Sequence, residues 1–297
     1  MPPTPPGARV SVHGGHSGQF CGHATDTLEA VLAAYADRGF AWVGVSEHMP
    51  PASDRFRYPE EIAAGLDAAA LMDRFARYME TARDLRRRHE NRMPVLVGFE
   101  TEAHAGAPEL AAELIREFRP DFVVGSVHHV DDIGIDISPD EYRRAADRAG
   151  GLDALYRRYF DRQLEMLEIV RPPVVGHFDL VRIFDPDYRE RIRRPGIWDR
   201  ICRNLRRMRR EGMILDFNVR ALDKGATEPY VCRPILRQAL EYGVAAVPGD
   251  DSHGVASVGR NLDRGIRILD ETGFDTRWPM PRLRRTEDME APASEWP

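Results

Sequence analysis

Long apolar runs are missing from this chain of 297 residues: nowhere do about 18 apolar residues stand together, so no membrane-spanning helix is expected. The opening segment, Met1 to Ala8, is proline-rich and lacks both a basic n-region and an apolar h-region, which argues against export. Cysteine is scarce. Cys21, Cys202 and Cys232 are odd in number and widely spaced, a pattern that builds no disulfide framework and suits a reducing, cytoplasmic location. Positive charge is not in excess either. A formal net charge of -6 and a pI near 6.0 leave no electrostatic footprint for nucleic acid, although arginine is locally dense. The arginine run from Arg189 to Arg210 is interrupted by Glu190 and Asp199 and followed by Glu211, and reads as the exposed face of an amphipathic helix. The balance fits an enzyme with a small substrate.

What the chain has instead is a recurring pattern. Seven short apolar runs each end in polar, mostly metal-binding residues. They are Val10 to His13 (then His16), Trp42 to His48, Val95 to Glu100, Phe122 to His129, Val174 to His177, Ile214 to Asn218 and Val244 to His253. Helical spacing fills the gaps. Asp26 to Arg38, Pro59 to His89 (one helix or two), Glu109 to Phe118, Asp140 to Ile169 with a break at Gly150-Gly151, Ile197 to Arg210, Pro234 to Tyr242 and Val258 to Leu269 read as helices. Strand followed by helix, repeated without a composition break, predicts an α/β fold with a parallel sheet and right-handed crossovers. A closed barrel is favoured over a doubly wound sheet, because chemistry-bearing residues end nearly every strand rather than clustering at one switch point. The expected organisation is a tail over 1–8, a single barrel domain over 9–274 and a surface extension over 275–297.

If the runs are buried strands, their C-terminal ends gather imidazoles and carboxylates on one rim. His13-Gly14-Gly15-His16, with His23 shortly after, places three imidazoles within a segment whose glycines allow a tight turn. A glycine turn carrying surface histidines is the bland alternative. Glu47 and His48 end the second strand, where adjacent side chains diverge and can serve two neighbours. Glu100 offers a carboxylate able to bridge two cations. Of His128 and His129, alternation allows one to point inward; His128 is the expected ligand and His129 a supporting or substrate-contacting residue. His177 and Asp179 share a face if that segment is extended. Asp251 and His253 form an oxygen-nitrogen pincer, against the alternative of a capped turn. Cys21 reads as a buried inert thiol, and His89 as a solvated helix residue.

In this order, the motifs Phe20-Cys21-Gly22-His23-Ala24, Gly44-Val45-Ser46-Glu47-His48-Met49-Pro50, Val97-Gly98-Phe99-Glu100, Val124 to Asp131, Gly176-His177-Phe178-Asp179 and Gly249-Asp250-Asp251-Ser252-His253 resemble the PHP (polymerase and histidinol phosphatase) superfamily, and within it the histidinol-phosphate phosphatases. The resemblance runs from about Val10 to about Gly259. It implies a distorted seven-stranded (β/α) barrel holding two or three divalent ions, commonly zinc, iron or manganese. Residue by residue, His16, His23, His48, Glu100, His128, His177, Asp251 and His253 fall on ligand positions. One departure stands at the start. The family usually separates its first two histidines by one residue, and here two glycines separate His13 from His16, which leaves the ion met by His13 and the shape of the strand end open.

The activity implied is hydrolysis of L-histidinol phosphate to L-histidinol and phosphate, a step of histidine biosynthesis. Clustered cations would lower the pKa of a bridging water and stabilise in-line displacement. Arginine forks match phosphate oxygens, so Arg182 and Arg220 are the first candidates to bind phosphate, with Asn218 as a substrate contact and Arg55 and Arg57 next. Asp179 or His253 could protonate the leaving group. The rivals are another phosphoesterase of the superfamily, acting on nucleotides, sugar phosphates or nucleic-acid ends, and a non-catalytic metal-binding or nucleic-acid accessory module. The metal identity and oligomeric state are open.

Overall fold

A computed structural model describes residues 4–283; residues 1–3 and 284–297, the outer parts of the expected tail and extension, lie outside the described residues. Seven strands form one parallel sheet in the order β1 (Val10–Gly14), β2 (Trp42–His48), β3 (Val95–Glu100), β4 (Phe122–Gly125), β7 (Val174–Val175), β8 (Ile214–Asn218) and β9 (Ala246–Gly249). Two short strands, β5 (His129–Val130) and β6 (Ile133–Gly134), pair antiparallel as a hairpin on the rim. The first and last strands of the sheet lie side by side, so the sheet is a nearly closed barrel. Side chains and loops latch that seam. Ser11 Oγ donates to Asp250 Oδ1 (2.6 Å), Tyr35 OH donates to the same oxygen (2.7 Å), and Asp251 N donates to the His13 carbonyl (2.8 Å).

The strands read as apolar because both faces are covered, by the barrel interior and by surrounding helices. Val10, Val12, Val43, Val45, Val123, Val124, Val174, Val175 and Leu215 are fully buried, each contributing roughly 1.5–3 kcal/mol by removal from water. The Phe122 ring fills the space over Gly44 and Gly98, where a Cβ would come within 2.6 Å of it, so glycine is required at both positions.

β1 carries an irregularity that places the first two candidate ligands. Val10 and Ser11 pair with Trp42 and Val43, but the next pair is Gly14 with Val45: three steps along β1 against two along β2, the mark of a bulge. Gly15 then takes a left-handed φ of 67°. The extra residue between His13 and His16 is absorbed here, and both rings turn into the barrel mouth.

The helices follow the expected alternation with shifted ends. Gly65 (φ 68°) divides the second helical segment into Pro59–Ala63 and Ala68–His89, and Gly150 and Gly151 divide the fourth into Pro139–Ala149 and Leu152–Ile169. The last helix is Leu262–Thr272 rather than Val258 to Leu269, because Gly259 and Asn261 both adopt left-handed φ before it. His89 is 6% exposed, a correction to its reading as solvated. Within the described residues, the segments expected as surface tails are also packed. Trp278 is 2% exposed and donates from Nε1 to the Ala8 carbonyl (2.8 Å), while Gly7 N donates to the Thr276 carbonyl (3.1 Å), so residues 4–8 and 275–283 hold one another against the barrel.

Candidate metal centre

Glu100, the last residue of β3, stands at the centre of the rim with 2% exposure. Its Oε1 lies 2.9 Å from His177 Nε2 and 3.2 Å from His128 Nε2; its Oε2 lies 3.3 Å from His13 Nε2 and 3.4 Å from His48 Nδ1. The two oxygens therefore face two different sets of imidazoles. Asp251 follows β9 in a left-handed turn (φ 45°), which brings its Oδ1 to 3.4 Å from His16 Nε2 and 3.5 Å from His253 Nδ1.

A second layer fixes the rings. Asp216 Oδ2 lies 2.9 Å from His13 Nδ1, Asp136 Oδ2 lies 3.1 Å from His128 Nδ1, and Glu47 Oε2 lies 3.5 Å from His16 Nδ1. Each arrangement turns the other ring nitrogen toward the centre, as carboxylates behind metal-binding histidines do. Asn218 Nδ2 donates to Asp216 Oδ2 (3.0 Å) and to Asp251 Oδ2 (3.2 Å), tying β8 to the loop after β9.

The electrostatics are those of a dense donor cluster. Burial pushes the His13, His16 and His128 imidazoles toward neutrality, yet nearby carboxylates carry all three well above their ordinary pKa: Glu100, Asp251 and Asp216 around His13, Asp251 and Glu47 around His16, Glu102 and Asp136 around His128. Burial pushes Glu100 and Asp251 up, but the histidines, His13 foremost, hold both carboxyls well below the usual range. His253 is driven far down, by burial first and then by His16.

These residues fit divalent ions. His13 Nε2, His16 Nε2 and His48 Nδ1, which face the central carboxylates, are buried without a hydrogen-bond partner, which is costly unless a cation uses such atoms. Four overlapping groups keep their donor atoms within 4.8 Å of one another: His13, His16 and Glu100; Glu100, His128 and His177; His48, Glu102 and His128; His16, Cys21, His48 and His253. Imidazole and carboxylate suit zinc, manganese and iron alike.

The structure gathers His13, His16, His48, Glu100, His128, His177, Asp251 and His253 at this centre. Other expected residues take different places. Glu47 sits behind His16, its Oε1 accepting from Ser17 N (2.8 Å) and Ser17 Oγ (2.7 Å), and supports the ring rather than joining a donor group. His23 stands at the mouth, its ring centroid 5.0 Å from that of His253, with Nδ1 2.8 Å from Glu60 Oε1 and Nε2 3.3 Å from Cys21 Sγ. Cys21 is buried, as expected, but belongs to a donor group. His129 Nδ1 lies 3.2 Å from Glu102 Oε2, behind the centre.

Asp179 is a correction. The chain after His177 is not extended but turns into a 3-10 helix, Leu180–Arg182, so His177 and Asp179 diverge. Asp179 Oδ2 accepts from Arg182 Nε (3.0 Å) and Cys232 N (2.9 Å). Arg182 is corrected with it: 4% exposed and absent from the cavity lining, it donates from Nη2 to the carbonyls of Glu228 and Pro229 and lies against the rings of Tyr188 and Tyr230. Arg57 is tied to the carbonyls of Asp54 and Leu66, and Arg55 is exposed and paired with Asp132; neither lines the cavity over the metal centre. Asn218 is at the centre, but its amide is consumed by the two aspartates, so it positions ligands instead of touching substrate. Arg220 does line the cavity, anchored by a bond from Nη1 to the Asp251 carbonyl (3.1 Å).

That cavity, of about 320 Å³, is also walled by Tyr58, Glu60, Asp136, Ile137, Leu180, Lys224 and Tyr230, which the sequence pattern did not single out. Two had a signal. Asp216 is a carboxylate inside an apolar strand, in step with inward-facing Asn218, and Lys224 is the only lysine in the chain. Tyr58 and Asp136 are in irregular segments, where no periodicity marks them.

Comparison with known proteins is consistent in direction. The PHP domain profile matches residues 14–220. The probable histidinol-phosphatase of Schizosaccharomyces pombe is 34% identical over 269 residues, covering 89% of this chain and 87% of that protein. The histidinol-phosphatase of Saccharomyces cerevisiae is 30% identical over 286 residues, covering 85% of each. Among solved structures, a Listeria monocytogenes protein assigned as a histidinol phosphatase superposes with a TM-score of 0.74 at 21% identity, covering 86% of this chain and 98% of that one. The histidinol phosphate phosphatase of Lactococcus lactis, solved with zinc, L-histidinol and phosphate, gives a TM-score of 0.66 at 17% identity, covering 90% and 97%. At these identities the two structures show a shared fold.

Proposed function

The chain belongs to the PHP domain family, and from that premise we propose that it is a metal-dependent phosphomonoesterase that hydrolyses L-histidinol phosphate to L-histidinol and phosphate. One observation carries the chemistry: both oxygens of Glu100 face imidazoles, His128 and His177 on one side and His13 and His48 on the other, beneath an open cavity. A carboxylate so placed joins two cation sites. The first would use His13, His16, Glu100 and Asp251, the second Glu100, His128 and His177, and a third His48 and His253 with His16, Cys21 or His23 close by. The donor types suit zinc, manganese or iron, and zinc is our first choice because the Lactococcus lactis relative holds it. Bound divalent ions supply an activated water near neutral pH and charge neutralisation for phosphate.

The chain's own residues supply the rest. Asp216, Asp136 and Glu47 hold the rings that face the ions, and Asn218 holds two of the carboxylates. Arg220, at the cavity wall beside Asp251, binds phosphate oxygens not facing the ions. Glu60 and Asp136 add negative charge to the cavity wall, which favours a substrate carrying an ammonium and an imidazole. The free thiols of Cys21, Cys202 and Cys232 support a reducing, cytoplasmic setting, and no helix among the described residues is long and apolar enough to cross a membrane.

The test is a substrate panel. Turnover of L-histidinol phosphate well above that of nucleotides, sugar phosphates and 4-nitrophenyl phosphate is expected. Equal turnover across the panel would contradict the substrate assignment while leaving the phosphatase chemistry in place.

A further inference from the structure

Hydrolysis of an alkyl phosphate needs a group that handles the departing alkoxide, and the two residues first considered for this do not serve. Asp179 is turned away into its pair with Arg182. His253 Nδ1 lies 2.9 Å from the Asp251 carbonyl, and its ring belongs to a metal donor group. Tyr230 also lines the cavity, but burial pushes its phenol up, away from proton donation. The remaining proton-bearing groups of the wall are committed. Tyr58 OH donates to Glu102 Oε1 (2.8 Å), His23 is held between Glu60 and Cys21, and Arg220 carries a guanidinium that does not give up its proton.

Lys224 is different in three respects. It lines the cavity one turn after Arg220, at the end of a short helix (Arg220–Asp223), and faces the same space as His177, Asp251 and Tyr230. Among the described residues its ammonium makes no hydrogen bond or ion pair, whereas Arg182, Arg191, Arg200 and Arg203 are all spent on carboxylates or carbonyls. It is also the only lysine among the 42 Lys and Arg residues of the sequence. A chain that uses arginine for every other Lys or Arg position keeps its lysine on the wall of the cavity over the metal centre, beside Arg220. The chemical difference is the relevant one: an ammonium is a compact point charge on a flexible stem that can transfer its proton, and a guanidinium is not.

We propose that Lys224 is a catalytic residue of this reaction, donating from its Nζ to the ester oxygen of the departing alcohol. This rests on the phosphatase reading. As the water oxygen bonds to phosphorus, the phosphorus to ester-oxygen bond breaks and its electron pair goes to that oxygen, which takes the proton of Lys224. Lysine regains a proton from solvent and the attacking water releases one to it, so ester and water become alcohol and phosphate. Arg220 holds the phosphate in place.

The test compares two leaving groups. An alkoxide such as histidinol needs the proton; 4-nitrophenolate leaves readily without it. In Lys224→Ala, kcat for L-histidinol phosphate should fall by about 100-fold or more, the ordinary contribution of a general acid, while kcat for 4-nitrophenyl phosphate falls by less than about tenfold. Lys224→Arg should keep the KM for histidinol phosphate but not restore its kcat, and added methylamine should raise kcat in the alanine variant. Equal losses on both substrates, or no loss on either, overturn the role of Lys224. A wild-type protein that hydrolyses neither substrate overturns the phosphatase reading and this proposal with it. Since a surface lysine tolerates substitution, unchanged thermal unfolding of both variants identifies any loss as chemical.

Discussion

Asp216 Oδ2 lies 2.9 Å from His13 Nδ1, joining the middle of β8, past the intervening β9, to the bulged end of β1 and leaving His13 Nε2 to face Glu100. The residue that aims this candidate ligand ring thus stands one strand away from the seam where β9 meets β1. Asp216→Ala should keep the fold yet lower metal affinity by about 10- to 100-fold, the usual effect of losing such a support. Metal titration of chelator-treated protein reads this directly. Unchanged affinity would show that His13 is held in place by the bulge alone.

Gly249 is the tightest point around that pair. A Cβ there would collide with Asp216 Oδ1 and come within 3.1 Å of His13 Cβ. Gly249→Ala should therefore cost about 1–3 kcal/mol and also weaken metal binding, since the atom that must give way is the carboxylate behind His13. Denaturant unfolding together with metal content checks both parts; loss of stability with full metal content would place the strain elsewhere.

Arg182 and Arg220 should separate stability from substrate binding. Removing the guanidinium in Arg182→Ala leaves Asp179 buried without its counter-charge, held by the Cys232 N–H alone, and frees the carbonyls of Glu228 and Pro229, a loss of about 3–5 kcal/mol. Arg220→Ala should shift stability by less than about 1 kcal/mol but reduce kcat/KM for histidinol phosphate by about 10- to 100-fold, as loss of a charged hydrogen bond does. The reverse pattern would return Arg182 to the phosphate site.

The pH dependence follows from the raised pKa values of His13, His16 and His128 in the metal-free protein, where burial is outweighed by carboxylates. An imidazole with a raised folded pKa contributes stability in full below its unfolded value, about 6.5, and loses it as pH rises through the folded value. Metal-free protein should accordingly become less stable from neutral pH upward. Ions bind only the deprotonated rings, so apparent metal affinity should rise over the same window, by about tenfold per pH unit for each proton released. Thermal unfolding with and without metal, measured from pH 6 to pH 9, should diverge as pH increases; parallel curves would mean that these rings are not ligands.

Much of this site was legible because it lies where apolar strands stop. The ends of β1, β2, β3 and β9 deliver His13, His48, Glu100 and Asp251 to one rim, and strand periodicity is a signal carried by each segment alone. Asp179 was misread for a local reason: β7 ends at Val175, and a turn, not a strand, carries the chain past His177. Arg182 was misread for a non-local one, since the carbonyls it binds are about 46 residues away in sequence. Asp136 and Tyr58 could not be found from pattern, because loops place them. Lys224 could have been found from composition, as the single lysine of an arginine-rich chain.

The central claim is that the residues around Glu100 hold ions that make this chain a histidinol-phosphate phosphatase. The most direct measurement is hydrolysis of L-histidinol phosphate by protein stripped with a chelator and then given back zinc, manganese or iron, with bound metal counted in the same samples. We expect two or three ions per chain, no activity without them, recovery with at least one of the three metals, and failure of Glu100→Gln to recover. Full activity in stripped protein, or stoichiometric metal without hydrolysis of histidinol phosphate, would contradict it.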